Sequence, residues 1–355
     1  MTIAKIFTAS ILALCVSQVV HADPVEIGAM SLLKEYNLIT LGDVTSTSEV
    51  EGNALIGGNV NGGQYNMRST SNASVASLTV AGNTTGNIIT KGKGLNVGGD
   101  VSGNITMNDG GDAYVQSVSG ALTNNANGNG STSVVGYISG TVNTNGGKTT
   151  VGGVTPPVNA ATEVSNAAAV LSSFSNQLAA AGSNSSFEIT GGKVTFNATA
   201  DSNGLAVFAI DNAASFFENA HEFAFNVGDA TSILFNVSGA LDSTLNLHAN
   251  FLAGFAPNHG DKLLWNFLDA KSINILAQFG GSVLALGADV TTDANIEGTL
   301  VSKSLNQNAE IHSKPSSFIP PPISAVPVPP ALFLFAPALL GFMGLRRKAG
   351  IVKAA

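Results

Sequence analysis

The chain has 355 residues, of which 15 are Lys or Arg and 23 are Asp or Glu, so its formal net charge is −8. Charged residues make up 11% of the chain, against roughly 25% in an average soluble domain. The missing basic patch argues against a nucleic-acid binder, and one cysteine excludes a disulfide scaffold. The 44% hydrophobic content excludes a disordered acidic chain.

The first 22 residues have the pattern of a secretory signal peptide. Lys5 supplies the positive start, and residues 6–20 are mostly apolar. Val20-His21-Ala22 ends on a small residue, so we expect signal peptidase to cut between Ala22 and Asp23 after the export machinery has engaged the chain. An uncleaved membrane helix fits less well because the run is short. Cleavage removes the only cysteine, Cys15, so packing and hydrogen bonds must hold the mature chain.

Residues 46–155 form a Gly- and Asn-rich region in which similar short sequence motifs, which we call phrases, recur. Their first residues, 56, 80, 97 and 135, are separated by 24, 17 and 38 positions, and a weaker copy divides the longest gap. Periods near 20 predict a β-solenoid, with glycine at its tight corners. A flexible linker is the alternative, but alternating β-branched residues favour strands. The phrases are Ile56-Gly57-Gly58-Asn59-Val60, Val80-Ala81-Gly82-Asn83, Val97-Gly98-Gly99-Asp100-Val101, Val118-Ser119-Gly120 and Val135-Gly136-Tyr137-Ile138-Ser139-Gly140.

Residues 159–181 predict a single long helix. The segment follows Pro156-Pro157, ends before Gly182 and has apolar residues at steps of three and four. At 1.5 Å per residue it would be about 34 Å long, and with strands about 4.8 Å apart it could lie along roughly seven coils. Its weak charge pattern favours packing on the solenoid over a coiled coil. The apolar stripe comprises Val164, Ala168, Leu171, Phe174 and Leu178.

Residues 187–312 return to strand patterns, now in more apolar form. Leu205-Ala206-Val207-Phe208 and Leu263-Leu264-Trp265-Asn266-Phe267 are examples, each bounded by Gly, Asn or Asp nearby. Continuous apolar runs predict strands that are covered on both faces. We expect the helix and the first solenoid section to provide that cover.

Two stretches of this domain carry a family resemblance. Tyr36-Asn37-Leu38-Ile39-Thr40-Leu41-Gly42-Asp43-Val44, followed by Val50-Glu51-Gly52-Asn53-Ala54-Leu55-Ile56-Gly57-Gly58-Asn59-Val60, resembles the opening of the choice-of-anchor A domain. Leu264-Trp265-Asn266-Phe267, Ile296-Glu297-Gly298-Thr299-Leu300 and Glu310-Ile311-His312 resemble its closing half. The resemblance assigns residues 23–314 to one domain and implies a cell-surface or matrix module. It brings no catalytic residues to this chain.

The C-terminal residues resemble a sorting signal. A Pro-rich linker at 315–330 precedes an apolar membrane segment at 331–348, which ends in a basic stop, and residues 349–355 follow. The segment resembles the PEP-CTERM signals of Gram-negative bacteria, which an exosortase cleaves, in the Val-Pro-x-Pro variant that lacks Glu between the prolines. The resemblance implies transient anchoring in the inner membrane before release to the cell surface or medium; a plain tail anchor is the alternative. The motif is Val326, Pro327, Val328, Pro329 and Pro330, and the basic stop is Arg346, Arg347 and Lys348.

Few residues have the pattern of a catalytic or metal-binding site. Asp109 and Asp112 are weak Ca²⁺ candidates in a Gly-rich turn, but they lack a full ligand set. His221, His248, His259 and His312 show no zinc-type spacing, so we predict no resident cofactor. Threonine pairs could order water on a solenoid face, but the sequence predicts no constant register for them from coil to coil. They lie at Thr45-Ser46-Thr47, Thr84-Thr85, Thr149-Thr150 and Thr291-Thr292.

The sequence therefore predicts a mainly β protein, a β-solenoid with one long α-helix alongside, flanked by a signal peptide and a transmembrane sorting tail. We expect an exported, non-enzymatic surface or matrix protein that adheres through a long polar face, with extracellular polysaccharide as its partner. The negative charge argues against nucleic acid as a partner. A carbohydrate-active enzyme on the same scaffold and an ice-binding adhesin are the alternatives.

Overall fold

A computed structural model describes residues 24–68, 75–125, 128–240 and 242–321. The cleavage pair Ala22 and Asp23, the sorting motif 326–330, the predicted membrane segment and the basic stop lie outside the described residues, so they stay predictions. Within the described ranges, no helix is long and apolar enough to cross a membrane.

The N-terminal section begins with one helix and continues as short strands separated by turns. The helix is α1 (Pro24–Glu35). The strands are β1 (Tyr36–Thr40), β2 (Val44–Ser46), β3 (Glu49–Val50), β4 (Asn53–Ile56), β5 (Val60–Tyr65), β6 (Leu78–Val80), β7 (Thr84–Lys91), β8 (Leu95–Val101), β9 (Asn104–Asn108), β10 (Ala113–Val118), β11 (Ala121–Asn125), β12 (Thr132–Val134), β13 (Thr141–Asn143) and β14 (Thr149–Val151).

The C-terminal section follows a long helix, α2, and contains longer connections. Two 3₁₀ turns, Leu252–Gly254 and Gly260–Lys262, flank its last helix. The elements are α2 (Ala160–Ala179), β15 (Ser186–Thr190), β16 (Lys193–Asn197), β17 (Leu205–Ile210), α3 (Ala213–Asn219), β18 (Glu222–Asn226), β19 (Ser232–Val237), β20 (Thr244–Leu247), β21 (Asn250–Phe251), α4 (Phe255–His259), β22 (Leu263–Phe267), β23 (Ser272–Ile275), β24 (Phe279–Gly280), β25 (Ser282–Thr292), β26 (Ile296–Glu297), β27 (Leu300–Gln307) and β28 (Ile311–His312).

The strands stack as the three sides of a β-solenoid, which confirms the predicted mainly β, parallel architecture. The helix side consists of β17, β19, β22, β25, β27, β1, β4, β6, β8, β10, β12 and β14 in that spatial order. The polar side runs from β20 and β23 through the second halves of β25 and β27 to β2, β5, β7, β8 and β10. The third side contains β24, β26, β28, β3, β5, β7, β9, β11 and β13, together with a small sheet of β15, β16, β18 and β21.

The spatial order of the coils differs from their order in the chain. Strand β27 pairs in parallel with β25 on one edge and with β1 and β2 on the other, so that Leu38 lies opposite Leu300. The last coil of the C-terminal section is therefore stacked directly against the first coil of the N-terminal section. We call this junction the seam.

Helix α2 makes this order possible by carrying the chain back along the stack. It contacts β6 and β8 in one section and β19, β22 and β25 in the other. Its 20 residues span about 30 Å, close to the predicted length. Asn159 caps it, since its Oδ1 accepts a hydrogen bond from Thr162 N at 3.0 Å. The buried stripe contains Ala167, whereas the predicted Ala168 is half-buried.

Two cores lie on opposite sides of the helix-side strands. Inside the solenoid, apolar residues from all three sides form one continuous core. Outside, Ile39, Leu55, Leu234 and Leu264 pack under α1 and α2. Strands β19 and β22 are thus buried on both faces, as the apolar runs predict.

The repeated phrases mark a real corner, although the copy at Val118 belongs to a different corner and the copy at Val135 is displaced by one residue, since Val134 is the register partner. Ile56, Val80 and Val97 are register partners in successive layers, as predicted. Val118 instead pairs with Val101 and with Ile138, at the next corner of the coil. At that corner glycines stack: a Cβ on Gly120 would lie 2.1 Å from the carbonyl oxygen of Gly103.

Candidate functional site

A column of neutral polar side chains runs along the outer surface of the polar side. Seven members are direct register partners from layer to layer, and three serines continue the column one residue beyond the paired residues Val101, Val118 and Ile138. With layers about 4.8 Å apart, ten members span roughly 43 Å. We call this set the polar column: Asn246, Asn274, Thr291, Asn306, Thr45, Asn61, Thr85, Ser102, Ser119 and Ser139.

Strict alternation along each strand produces the column. Thr45 is exposed while its neighbours Val44 and Ser46 are buried, and Asn306 is exposed between buried Leu305 and Gln307. Because the interior residues fix the register, the outward residues are aligned as well. The sequence therefore builds an aligned row of amide and hydroxyl groups on a stack of hydrogen-bonded strands.

A second row, which we call the corner ladder, stiffens the edge of this surface. Asp43 Oδ1 accepts the Asn59 backbone N–H at 2.7 Å, and Asn59 Oδ1 accepts that of Asn83 at 2.9 Å. Asn83 Oδ1 then accepts Asp100 N–H at 2.8 Å, and Ser117 Oγ donates to Asp100 Oδ1 at 2.7 Å. Each side chain binds the next coil, so the corner is continuously hydrogen-bonded over five layers.

The threonines are more regular than the sequence indicates. Thr291, Thr45 and Thr85 all belong to the polar column, each separated from the next by one asparagine: Asn306 and Asn61. The expectation that these threonines lack a constant register is therefore wrong. The physical reason is that coil length varies in the turns while the strands keep their register. Thr149 and Thr150 lie elsewhere, on β14 of the helix side.

The two Ca²⁺ candidates lie in a left-handed turn between β9 and β10. Asp109 has φ 64° and forms an exposed ion pair with Lys91, with Oδ2 3.7 Å from Nζ. Asp112 Oδ1 accepts hydrogen bonds from the backbone N–H and hydroxyl of Ser131, both at 2.9 Å. Each carboxylate thus has a partner within the coil stack, and their assignment to Ca²⁺ stays a prediction.

Of the four histidines that follow the predicted signal peptide, three have close polar partners that sequence spacing did not reveal. His221 and His248 lie on neighbouring coils, with His221 Nδ1 3.1 Å from His248 Nε2. His312, in β28, lies between two glutamates: its Nδ1 is 2.8 Å from Glu297 Oε1 and its Nε2 is 2.8 Å from Glu310 Oε2. Parallel stacking brings together residues that are 15 to 27 positions apart, a distance that zinc-type spacing rules do not cover.

The His312 cluster belongs to the seam. Glu51, which follows β3, is 5% exposed at its side chain and forms an ion pair with Arg68 at 2.9 Å. Its other carboxylate oxygen accepts the Ser313 backbone N–H at 2.8 Å. Burial acts to lower the pKa of His312, but hydrogen bonds to Glu310 and Glu297 and nearby negative charge outweigh it, so the pKa is raised. The carboxylates at the seam thus favour the protonated imidazole of His312 over the neutral one.

Most of the chain is similar to a known family of domains. The model of a family described as "Putative Ice-binding-like adhesive domain" matches residues 29–313. No curated protein matches the chain.

One solved structure, the crystal structure of an ice binding protein from an Antarctic bacterium, Flavobacteriaceae, is 11% identical. The alignment covers 84% of this chain and 99% of that one, with a TM-score of 0.25. The family match covers well over half of the sequence and includes every member of the polar column. The chain belongs to the family of ice-binding-like adhesive domains.

Proposed function

We propose that this protein is a non-enzymatic, extracellular adhesive module that binds an extended partner along its polar column. The observation that carries the proposal is the in-register row of ten uncharged hydrogen-bonding side chains on one side of the solenoid. A rigid row of this kind presents donors and acceptors at a fixed repeat, so a partner with its own repeat can engage many of them at once. The adhesive family to which the chain belongs supports this reading.

The chemistry of the column favours a neutral polysaccharide as the partner. Its amides and hydroxyls both donate and accept hydrogen bonds, which suits sugar hydroxyls. Acidic residues Asp43, Asp100 and Asp289 flank the column, and the whole chain has a net charge of −8. This charge repels polyanions, so we expect dextran or cellulose to bind better than alginate.

Ice binding is the second candidate, and the regular threonines favour it. Thr291, Thr45 and Thr85 recur at every second layer, roughly 10 Å apart. The family description names ice binding. The intervening asparagines distinguish this row from a continuous threonine array.

The first test substitutes the middle of the column. Thr45→Lys places a long charged side chain on the surface, and we expect it to weaken retention on cellulose or dextran strongly. Thr106→Lys is the matched control, because Thr106 occupies an outward position on the third side. Equal retention of both variants and the wild type would contradict the proposed face.

The same variants distinguish polysaccharide binding from ice binding, and the wild-type protein is also assayed for catalysis. Thermal hysteresis that Thr45→Lys abolishes, without any binding to glycans, would select ice as the partner. If the protein produced new polysaccharide chain ends when incubated with cellulose, dextran or alginate, with or without Ca²⁺, the result would instead support a carbohydrate-active enzyme.

For the ends of the chain, we propose that the signal peptide directs export and that the tail resembling PEP-CTERM anchors the protein until an exosortase-like enzyme cuts it. The choice-of-anchor A resemblance supports the same cell-surface role. Intact mass measurement of protein from cells and from medium tests this proposal. If the protein in the medium had a mass that includes both residues 1–22 and residues 331–348, the proposed processing would be contradicted.

A further inference from the structure

The geometry points to a transition-metal site formed by His221 and His248, which we propose binds Zn²⁺, Ni²⁺ or Cu²⁺ at the end of the polar column. The two imidazoles come from adjacent coils, just before β18 and just after β20. Their facing nitrogens, His221 Nδ1 and His248 Nε2, are 3.1 Å apart. This proposal is independent of the proposed adhesive function.

The nitrogen separation is close to the distance that a shared metal ion requires. Zinc binds imidazole nitrogens at about 2.0–2.1 Å, so two tetrahedral ligands lie about 3.3 Å from each other. The observed separation differs from this by only about 0.2 Å. Small rotations of the two rings, whose planes differ by 43°, therefore convert the contact into a pair of ligands.

The hydrogen bonding of His248 prepares its Nε2 for a metal. Its Nδ1 lies 3.0 Å from the carbonyl oxygen of Asn246, and a carbonyl can only accept, so Nδ1 carries the hydrogen. In the neutral ring, Nε2 then carries the lone pair, and this lone pair accepts a hydrogen bond from His221 Nδ1. A metal ion would take the place of that hydrogen once His221 adopts the tautomer that is protonated at Nε2. A backbone carbonyl bound to the second ring nitrogen is the usual support of a metal-ligating histidine.

The position of His221 is equally fixed. Its backbone N–H donates to Gly192 O at 2.7 Å, and its carbonyl accepts from Asn250 N at 2.9 Å. Gly192 also makes room for the ring, because a Cβ there would lie 2.4 Å from His221 Cδ2. Gly192 has φ +85°, a conformation that other residues rarely adopt.

The ligand set determines the class of metal. Two imidazoles favour Zn²⁺, Ni²⁺ and Cu²⁺, whereas Ca²⁺ and Mg²⁺ select oxygen ligands. Within the described residues, the groups of three or more metal-ligating side chains do not include either histidine. Water would therefore complete the coordination, and the site binds metal reversibly.

Calorimetric titration of the full, untagged protein with ZnCl₂ tests the site. We expect one ion per chain, and both His221→Ala and His248→Ala should weaken binding by at least ~10-fold, since loss of even an outer contact commonly costs ~10–100-fold. His259→Ala is the matched control and should bind like the wild type. Circular dichroism verifies that each variant is folded, and His248→Gln provides a second, less disruptive substitution.

His312→Ala addresses the competing cluster of Glu51, Glu310 and His312, whose ligand atoms lie within 4.8 Å of one another. Zinc binding that persists in His312→Ala supports the histidine pair. Three results would overturn the proposal. Zinc binding could be lost only in His312→Ala, or it could survive in both His221→Ala and His248→Ala. The third is that the wild type shows no binding at millimolar zinc.

Discussion

The two sections of the solenoid share one hydrogen-bonded stack but fill their interiors differently. In the N-terminal section, coils of 17 residues are frequent, and Val, Leu and Ile fill the core, with Tyr65 as a buried aromatic. The first two coils of the C-terminal section contain 27 and 30 residues and enclose a cluster of aromatic rings. A wide coil needs large side chains to reach native packing density, whereas a narrow coil needs glycine at its corners. The same register is therefore maintained by two different packing solutions, and substitutions should affect them differently.

The largest effect is expected in the aromatic core of the C-terminal section. Trp265 is fully buried, stacks on Phe235 with ring centroids 3.8 Å apart and donates from Nε1 to Gly280 O at 2.9 Å. We expect Trp265→Ala to lower the free energy of unfolding by about 4 kcal/mol, because it leaves a cavity and an unpaired carbonyl. Urea denaturation measures the loss. Leu122→Ala in the narrow section provides the comparison, and a larger cost there would contradict the packing difference.

The corner glycines of the N-terminal section should give the next largest effect. A Cβ on Gly120 would overlap the carbonyl oxygen of Gly103, and backbone on both coils must move apart. We expect Gly120→Ala to cost about 3 kcal/mol, at the upper end of the ~1–3 kcal/mol typical of overpacking. Gly182→Ala is the control, since a Cβ there meets nothing within 4 Å. Similar melting temperatures for both variants would show that the corners are not tightly stacked.

The seam should respond to pH through His312. Its pKa is raised in the folded protein, so its stabilising contribution is complete below about pH 6.5 and is lost as the pH rises through the raised pKa. We expect His312→Gln to cost about 1–2 kcal/mol at pH 6, less than the ~3–5 kcal/mol of a fully buried ion pair, because His312 is partly exposed. The difference from the wild type, measured by urea denaturation, should shrink between pH 6 and pH 9. A difference that grows with pH would contradict the charge network.

The smallest effect is expected at the exposed rim of the polar side. Hydrogen bonds from Ser304 and Lys303 lower the pKa of Asp289, but both partners of the Lys303–Asp289 ion pair are more than half exposed. We expect Lys303→Ala to change the free energy of unfolding by less than about 0.5 kcal/mol. A loss of 2 kcal/mol or more in 0.15 M salt would show that the rim is structurally important.

Local patterns were readable from the sequence because they reflect short-range geometry. The proline before Asn159, the apolar stripe and Gly182 located α2 to within two residues at each end. The phrases at Ile56, Val80 and Val97 identified register partners, since a strand with one buried face keeps its period. Helix α1 was missed, although Met30 and Leu33 have helical spacing and are buried in the core under α2.

The arrangement of the layers could not be predicted in the same way. Pairing between β1 and β27 joins residues about 260 positions apart, and only tertiary contacts such as Asn37 Nδ2 to Gly298 O at 2.8 Å encode it. The alignment of Thr45 with Thr291 and the pairing of His221 with His248 depend on that stacking. Because the turns between strands vary in length, residues that are aligned in the stack are not evenly spaced in the sequence. Neither alignment can therefore be read from sequence spacing.

The most direct test of the account is a disulfide across the seam. Thr45 and Asn306 are exposed register partners on β2 and β27, so cysteines at these positions lie within disulfide range. With Cys15 replaced by Ser, we predict that Thr45→Cys/Asn306→Cys forms the bond on mild oxidation, seen as a mobility shift that reductant reverses. Thr45→Cys/Asn274→Cys, separated by three layers, should remain reduced. Failure of the first pair, or efficient bonding of the second, would contradict the stacking that builds the polar column.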